Sequence, residues 1–200
     1  MSKAREQEER VVHEAPLECA NAAAWARWLG RHHASAAGIW LRIAKKDSGI
    51  ASVDYAAALE EALCWGWIDG QRRSDDAQYF QQRFTPRTKR SIWSQINRAK
   101  VLKLIEEGRM QPAGHGEIER ARADGRWEAA YEGVSAATVP PDLQAALDAN
   151  KKAAKFFATL DSRNRFAVLF RIQGAKKPET RARRIAQFVE MLAKGERIHP

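Results

Sequence analysis

Cysteine is almost absent from this chain of 200 residues, which holds only Cys19 and Cys64. Two thiols cannot build a disulfide scaffold, and both fall in helix-like patterns, as buried thiols of a reducing cytoplasm do. Long apolar runs are missing too; none approaches the ~20 residues that a membrane-spanning helix needs. Met1–Glu14 is nearly all polar and charged, so it reads as neither a secretory signal nor a stop-transfer segment. The expectation is a cytoplasmic chain with no membrane span. Internal repeats and low-complexity tracts are also lacking, and the Ala-rich stretches are helix formers, not linkers.

Catalytic signatures are equally scarce. Gly66 and Gly70 flank Trp67-Ile68-Asp69 without the G-x-x-x-x-G-K frame of a phosphate loop, and no Gly-x-Ser-x-Gly elbow occurs. His32 and His33 are adjacent, so on a helix they diverge by ~100° and do not grip one metal together. They fit an exposed helix end, where cations are favoured. His115 lies between two glycines, read as a loop, with no second ligand at metal-binding spacing. Cys64, beside Leu63 and Trp65, reads as a buried structural thiol. Neither a metal, a cofactor nor a catalytic residue is expected from these patterns.

What is present is an ordinary globular composition, 44% hydrophobic and 30% charged, long enough for one domain or a domain with a docked extension. The net charge of +9 is uneven. Residues 151–200 hold 13 Lys/Arg and 4 Asp/Glu, whereas residues 1–150 hold 21 of each. A basic C-terminal quarter fits an anionic partner, or simply a solvated surface.

Hydrophobic periodicity orders the elements. Trp25, Trp28 and Leu29 predict a helix from Asn21, with Gly30 near its end. Ile39, Leu41 and Ile43 alternate as a strand, and Asp47-Ser48-Gly49 is a turn. Ser52 is the expected cap of a helix with the stripe Tyr55, Leu59, Leu63, ending at Gly66. Ile68–Arg73 and Tyr79–Phe84 form a predicted β-hairpin stopped by Pro86. A long helix, Ser91–Glu107, is expected to bury Ile92, Ile96, Ala99, Leu102 and Ile105 and to close at Gly108. Helical pieces follow at 117–123 and 127–131. After Pro140-Pro141 come 143–147, 153–160, 163–172 and 178–194, the last opening on Pro178 and closing at Gly195. The fold class is α+β: a small antiparallel sheet of about three strands in the N-terminal half, packed by helices, then an all-helical C-terminal half. Three regions are expected: a flexible arm at 1–20, an α+β body at 21–138, and a basic helical domain at 139–200.

Three segments stand out chemically. In the first, Asp69 sits between apolar Ile68 and Gly70, a glycine that suggests a bulge or a close approach. A carboxylate there needs a partner, and Arg83 across the hairpin is the expected one. The pair either pins the hairpin or leaves Asp69 to touch a ligand. The second segment gathers Arg83, Arg87, Lys89 and Arg90 before the helix expected to start at Ser91. A helix start ordinarily attracts acids, so bases there suit capture of an anion by backbone N–H groups and guanidinium. Ser94 and Asn97 lie one turn apart further in, and Trp93 offers a flat wall; the rival reading is a solvated basic loop. The third segment, Lys176, Lys177, Arg181 and Arg184 around a Gly-containing turn between two helices, has a helix-turn-helix layout. It reads as a basic helical surface or as a phosphate or nucleic-acid contact.

Taken together, Cys64-Trp65-Gly66-Trp67-Ile68-Asp69-Gly70-Gln71, Arg83-Phe84-Thr85-Pro86-Arg87, Ser91-Ile92-Trp93-Ser94 with Asn97, and Gly108-Arg109-Met110 resemble the YdeI/OmpD-associated family of bacterial proteins. Gly125-Arg126-Trp127 fits the same pattern, and Ala175–Arg181 resembles its bacteriocin-protection (OmdA) domain. The resemblance spans about Ala24 to Gly195, with Trp65 standing where Phe is usual. It implies a role in protection against bacteriocins or cationic peptides, or association with an outer-membrane porin, and brings no reaction or catalytic residue with it. A cytosolic role in stress tolerance is the easier one to reconcile with these residues.

The leading expectation is a non-catalytic binding protein for an anionic small molecule or phosphate-bearing ligand. Its cleft would use Trp67, Asp69, Arg83, Arg87, Ser91, Trp93, Ser94 and Asn97. One alternative is an enzyme using Asp69 as general base in the same place. Another is nucleic-acid binding through the basic C-terminal helices.

Overall fold

The computed structural model describes residues 15–133 and 138–200, and these divide into two compact units. The first takes the described residues up to Trp93 together with Asn97–Ala129; the second takes Ser94–Ile96 and the described residues from Ala130 on. The fold is α+β, with one small sheet in the N-terminal half and helices in the C-terminal half. Most of the arm expected at 1–20 lies outside the described residues. Of its remainder, Leu17–Glu18 forms strand β1 and Cys19 is buried.

In the first unit, helix α1 (Ala22–His32) starts where Asn21 accepts the Ala24 N–H at 2.9 Å, and it runs past Gly30. Strand β2 (Ile39–Ala44) alternates as expected, with Ile39, Leu41 and Ile43 buried. Helix α2 (Tyr55–Cys64) is capped by Asp54, which accepts the Ala57 N–H at 2.8 Å; Ser52 instead accepts the Ala44 N–H. Tyr55 is exposed, so the buried face is Ala58, Leu59, Ala62, Leu63 and Cys64. Strands β3 (Trp67–Ser74) and β4 (Tyr79–Pro86) make the hairpin. The sheet order is β1-β2-β4-β3, four strands where about three were expected; the β1–β2 pair is parallel and the other two pairs antiparallel. Trp25, fully buried, packs at 5.5 Å on Phe84 and donates its indole N–H to the Ala58 carbonyl at 3.0 Å. One side chain thus ties α1, α2 and the sheet, a burial worth roughly 3–5 kcal/mol on truncation.

Helix α3 (Gln95–Glu106) begins four residues later than expected and turns the other way. Val101 and Leu104 are buried, whereas Ile92, Ile96 and Leu102 are exposed. Helix α4 (Pro112–Ala123) contains His115, which is therefore helical and not in a loop. Gly114 within it lets α4 approach α2, because a Cβ there would lie 2.3 Å from the Cys64 carbonyl oxygen. Residues 124–129 are successive turns, not the helix expected at 127–131.

The second unit holds helices α5 (Pro141–Asp148), α6 (Lys151–Ala158), α7 (Ser162–Gln173) and α8 (Pro178–Ala193). Asn150 and Asp161 cap α6 and α7 through the Ala153 and Asn164 N–H groups. Its core joins Leu143, Leu147, Phe157, Val168, Leu169, Ile172, Ile185 and Leu192.

Candidate functional site

The hairpin bulge decides where Asp69 points. Register shifts between Asp69 and Arg72, and buried Gln82 fills the gap by donating to the Gly70 and Gln71 carbonyls at 3.0 and 3.1 Å. Asp69 faces Phe84, a core residue, and its carboxylate accepts the Tyr55 hydroxyl at 2.7 Å. Arg83 pairs with Trp40 across β2 and lies on the other face of the sheet, 5.9 Å from the Trp40 ring. The expected Asp69–Arg83 pair is therefore not made: period-two alternation sets the two residues on opposite faces. Trp67 is buried, edge-on to Trp28 at 5.9 Å, with its indole donating to the His33 carbonyl.

The basic segment after β4 is a loop, not a helix start. Ser91 is not an N-cap; its hydroxyl accepts the Thr88 N–H at 2.9 Å and its own N–H returns to the Thr88 carbonyl. Helix α3 opens at Gln95, whose N–H is taken by the Tyr131 carbonyl at 2.9 Å. Ser94, buried, bridges to Tyr131 in the second unit. The helix start expected at Ser91 is thus not formed.

What the loop builds instead is a cationic shell around two indoles. Buried Arg87 lays its guanidinium 3.6 Å from the Trp93 ring centre and donates to the Ile92 carbonyl. Trp93 meets Trp127 edge-on at 5.0 Å. Arg98 and Arg122 stand 4.9 and 5.1 Å over Trp127, and Arg126 reaches the Ser91 carbonyl at 2.7 Å. Lys89 and Arg90 are exposed on the loop, and Asn97 is half-buried on α3. Trp93, 2% exposed, has an indole N–H with no hydrogen-bond partner among the described residues. Of the sequence-predicted residues, Arg87, Ser91 and Trp93 come together here; Trp67, Asp69 and Arg83 do not. Trp127, Arg98, Arg122 and Arg126 were missed, although Gly125-Arg126-Trp127 was a visible motif.

Elsewhere in this unit two arginines hold three carboxylates each. Arg42 contacts Glu18, Asp75 and Asp76 at 2.5–2.6 Å, and Arg109 contacts Glu60, Glu61 and Glu107 at 2.7–3.2 Å. Both cysteines are free and buried, and burial pushes the Cys64 thiol up to about 11. That is the wrong direction for a nucleophile. Among the described residues, no group of three His, Cys, Asp or Glu side chains is placed to hold a metal ion, and no helix is long and apolar enough to cross a membrane.

In the second unit Arg181 is engaged. It holds Asp142 through two contacts, at 2.5 and 2.9 Å, and donates to the Ile172 carbonyl. Its hydrogen bonds hold the Asp142 carboxyl below the usual carboxylate range. Arg184 is spent on the Arg171 carbonyl, while Lys176 and Lys177 face solvent.

Residues 17–117, half the chain, match the model of a family described as a domain of unknown function (DUF8412). The chain belongs to that family. Residues 136–195 match the model described as bacteriocin-protection, YdeI or OmpD-associated (OmdA). The OmdA resemblance thus holds for the C-terminal part, and the segment before it falls to a separate family model. No curated protein and no solved structure matches the chain.

Proposed function

We propose that this chain is a non-catalytic cytoplasmic protein that binds an anionic small molecule, above all a phosphate-bearing ligand with a planar part, at the cationic groups around Trp93 and Trp127. The sorting of charge in the first unit carries the reading. Six carboxylates are gathered on just two cations, Arg42 and Arg109, which leaves other cations of the unit without a carboxylate. Lys89, Arg90, Arg98 and Arg122 make no ion pair among the described residues, and Asp124 is engaged by Arg126. Flat guanidinium groups stacked on indoles present donors in a fixed plane, which suits phosphate oxygens.

The two free thiols support a reducing compartment. The OmdA description of residues 136–195 supplies the biological setting, protection against bacteriocins. A cationic peptide would be repelled by this site, so protection would act through an anionic ligand or partner and not by capture of the peptide.

Calorimetric titration of the full chain with inorganic pyrophosphate, followed in parallel by the tryptophan indole N–H resonances, tests the reading. Saturable binding is expected, with shifts at Trp93 and Trp127 and about tenfold weaker affinity in Arg98→Ala, the worth of one charge-assisted contact. Absence of saturation, or shifts confined to other tryptophans, would overturn it.

A further inference from the structure

Helix α7 has two apolar sides. Val168, Leu169 and Ile172 enter the core of the second unit, as any amphipathic helix requires. On the opposite side Arg163, Phe166, Ala167, Phe170 and Arg171 recur at the i, i+3, i+4, i+7, i+8 spacing that aligns side chains along one stripe. A solvent-facing stripe has no need of two phenylalanines, yet Phe166 and Phe170 are only half-buried, their rings tilted at 31° with centres 5.5 Å apart. Tyr131 backs them edge-on to Phe170 at 5.1 Å.

Arg163, Phe166, Ala167, Phe170 and Arg171, with Ser162 and His199, line an open pocket of about 480 Å³, within the range of small-molecule sites. One end is built with care. Buried Asn164 accepts the His199 N–H at 2.8 Å and donates to its carbonyl at 3.2 Å, fixing the C-terminal segment against α7. The other end is Arg171, about 12 Å along the helix from Arg163. Neither Arg163 nor Arg171 makes an ion pair among the described residues, but Arg163 lies near Asp161, whose carboxyl is held down chiefly by the Asn164 N–H and in small part by Arg163, whereas no such carboxylate stands by Arg171.

We infer that this cavity is a second, separate site, for a small aromatic carboxylate. The ring lies against Phe166, Ala167 and Phe170, and the carboxylate meets Arg171. An apolar wall with a cation at one end discriminates an acid from its neutral isostere, because only the acid answers the guanidinium. The inference is independent of the pyrophosphate site, which lies in the other unit.

Titration of the full chain with 2-naphthoate and with its neutral isostere 2-naphthylmethanol tests it. The acid should bind saturably and the alcohol about tenfold more weakly. Arg171→Glu should cost about tenfold or more, and Ala167→Phe, which fills the cavity, should abolish binding without altering charge. Arg183→Glu, an equal change of charge at an exposed position of α8, should leave affinity unchanged. Equal affinity for acid and alcohol, equal loss in Arg171→Glu and Arg183→Glu, or no saturable binding by a chain of unaltered thermal stability would each overturn the assignment.

Discussion

Residues 151–200 carry the entire net charge of the protein, and residues 1–150 carry none, yet the tighter gathering of cations around aromatic rings lies in the neutral region. In the second unit much of the positive charge is dispersed over solvent faces of helices or is engaged: Arg181 by Asp142, Lys194 by Glu190, Arg184 by a backbone carbonyl. In the first unit six carboxylates are held by Arg42 and Arg109, while Arg87, Arg98 and Arg122 lie over Trp93 and Trp127, the last two making no ion pair among the described residues. The lesson is that net charge describes a region's average, whereas an anion responds to local excess within about a Debye length, ~8–10 Å.

The units also differ in how they close. Both bury apolar side chains, but the first also depends on a close backbone approach at Gly114, whereas the core of the second is interlocked Leu, Ile, Val and Phe side chains. The most specific probe of that approach is therefore a single methyl group. Gly114→Ala should destabilise the chain by about 3 kcal/mol in urea denaturation, because the new Cβ would meet the Cys64 carbonyl oxygen. Gly116→Ala, two residues on in the same helix but facing open space, should stabilise by about 1 kcal/mol. Similar effects from both would show that α2 and α4 do not pack as described.

In the second unit the corresponding probe is electrostatic and smaller. Arg181→Ala should cost about 1 kcal/mol or less near neutral pH, since both partners are partly solvated. The sign with pH follows from Asp142. Its carboxyl is held down in the folded chain by Arg181, so the pair stabilises above the ordinary carboxylate pKa of about 4 and loses that contribution as pH falls through the lowered value. The stability gap between wild type and Arg181→Ala, measured by denaturant midpoints, should be flat above about pH 5 and shrink in acid. A gap that widens in acid would contradict the assignment.

Much of this fold was legible in residue periodicity. The β2 alternation, the hairpin, and the four C-terminal helices with Pro178 and Gly195 at the ends of the last one all followed from local pattern. Three things did not. Strand β1 is two residues long and parallel, held by a partner 24 positions away, so no local period marks it. Helix α3 has apolar residues on more than one side, and periodicity alone does not choose Val101 and Leu104 over Ile92, Ile96 and Leu102. At the candidate site, Gly70 announced a bulge but not its offset, and the offset is what sets Asp69 opposite Phe84 and away from Arg83. The cations before Trp93 were visible; that Trp127, more than thirty residues on, completes their surroundings is a tertiary fact.

The central claim, that local excess and not net charge makes the anion site, is tested most directly by two charge reversals of equal size. Arg122→Glu touches the Trp127 ring in the first unit, and Arg183→Glu lies on the exposed side of α8 in the basic one. Pyrophosphate affinity measured by calorimetry at fixed ionic strength should fall about tenfold or more in Arg122→Glu and stay within about twofold of wild type in Arg183→Glu. Equal losses in the two variants, or the larger loss in Arg183→Glu, would contradict the account.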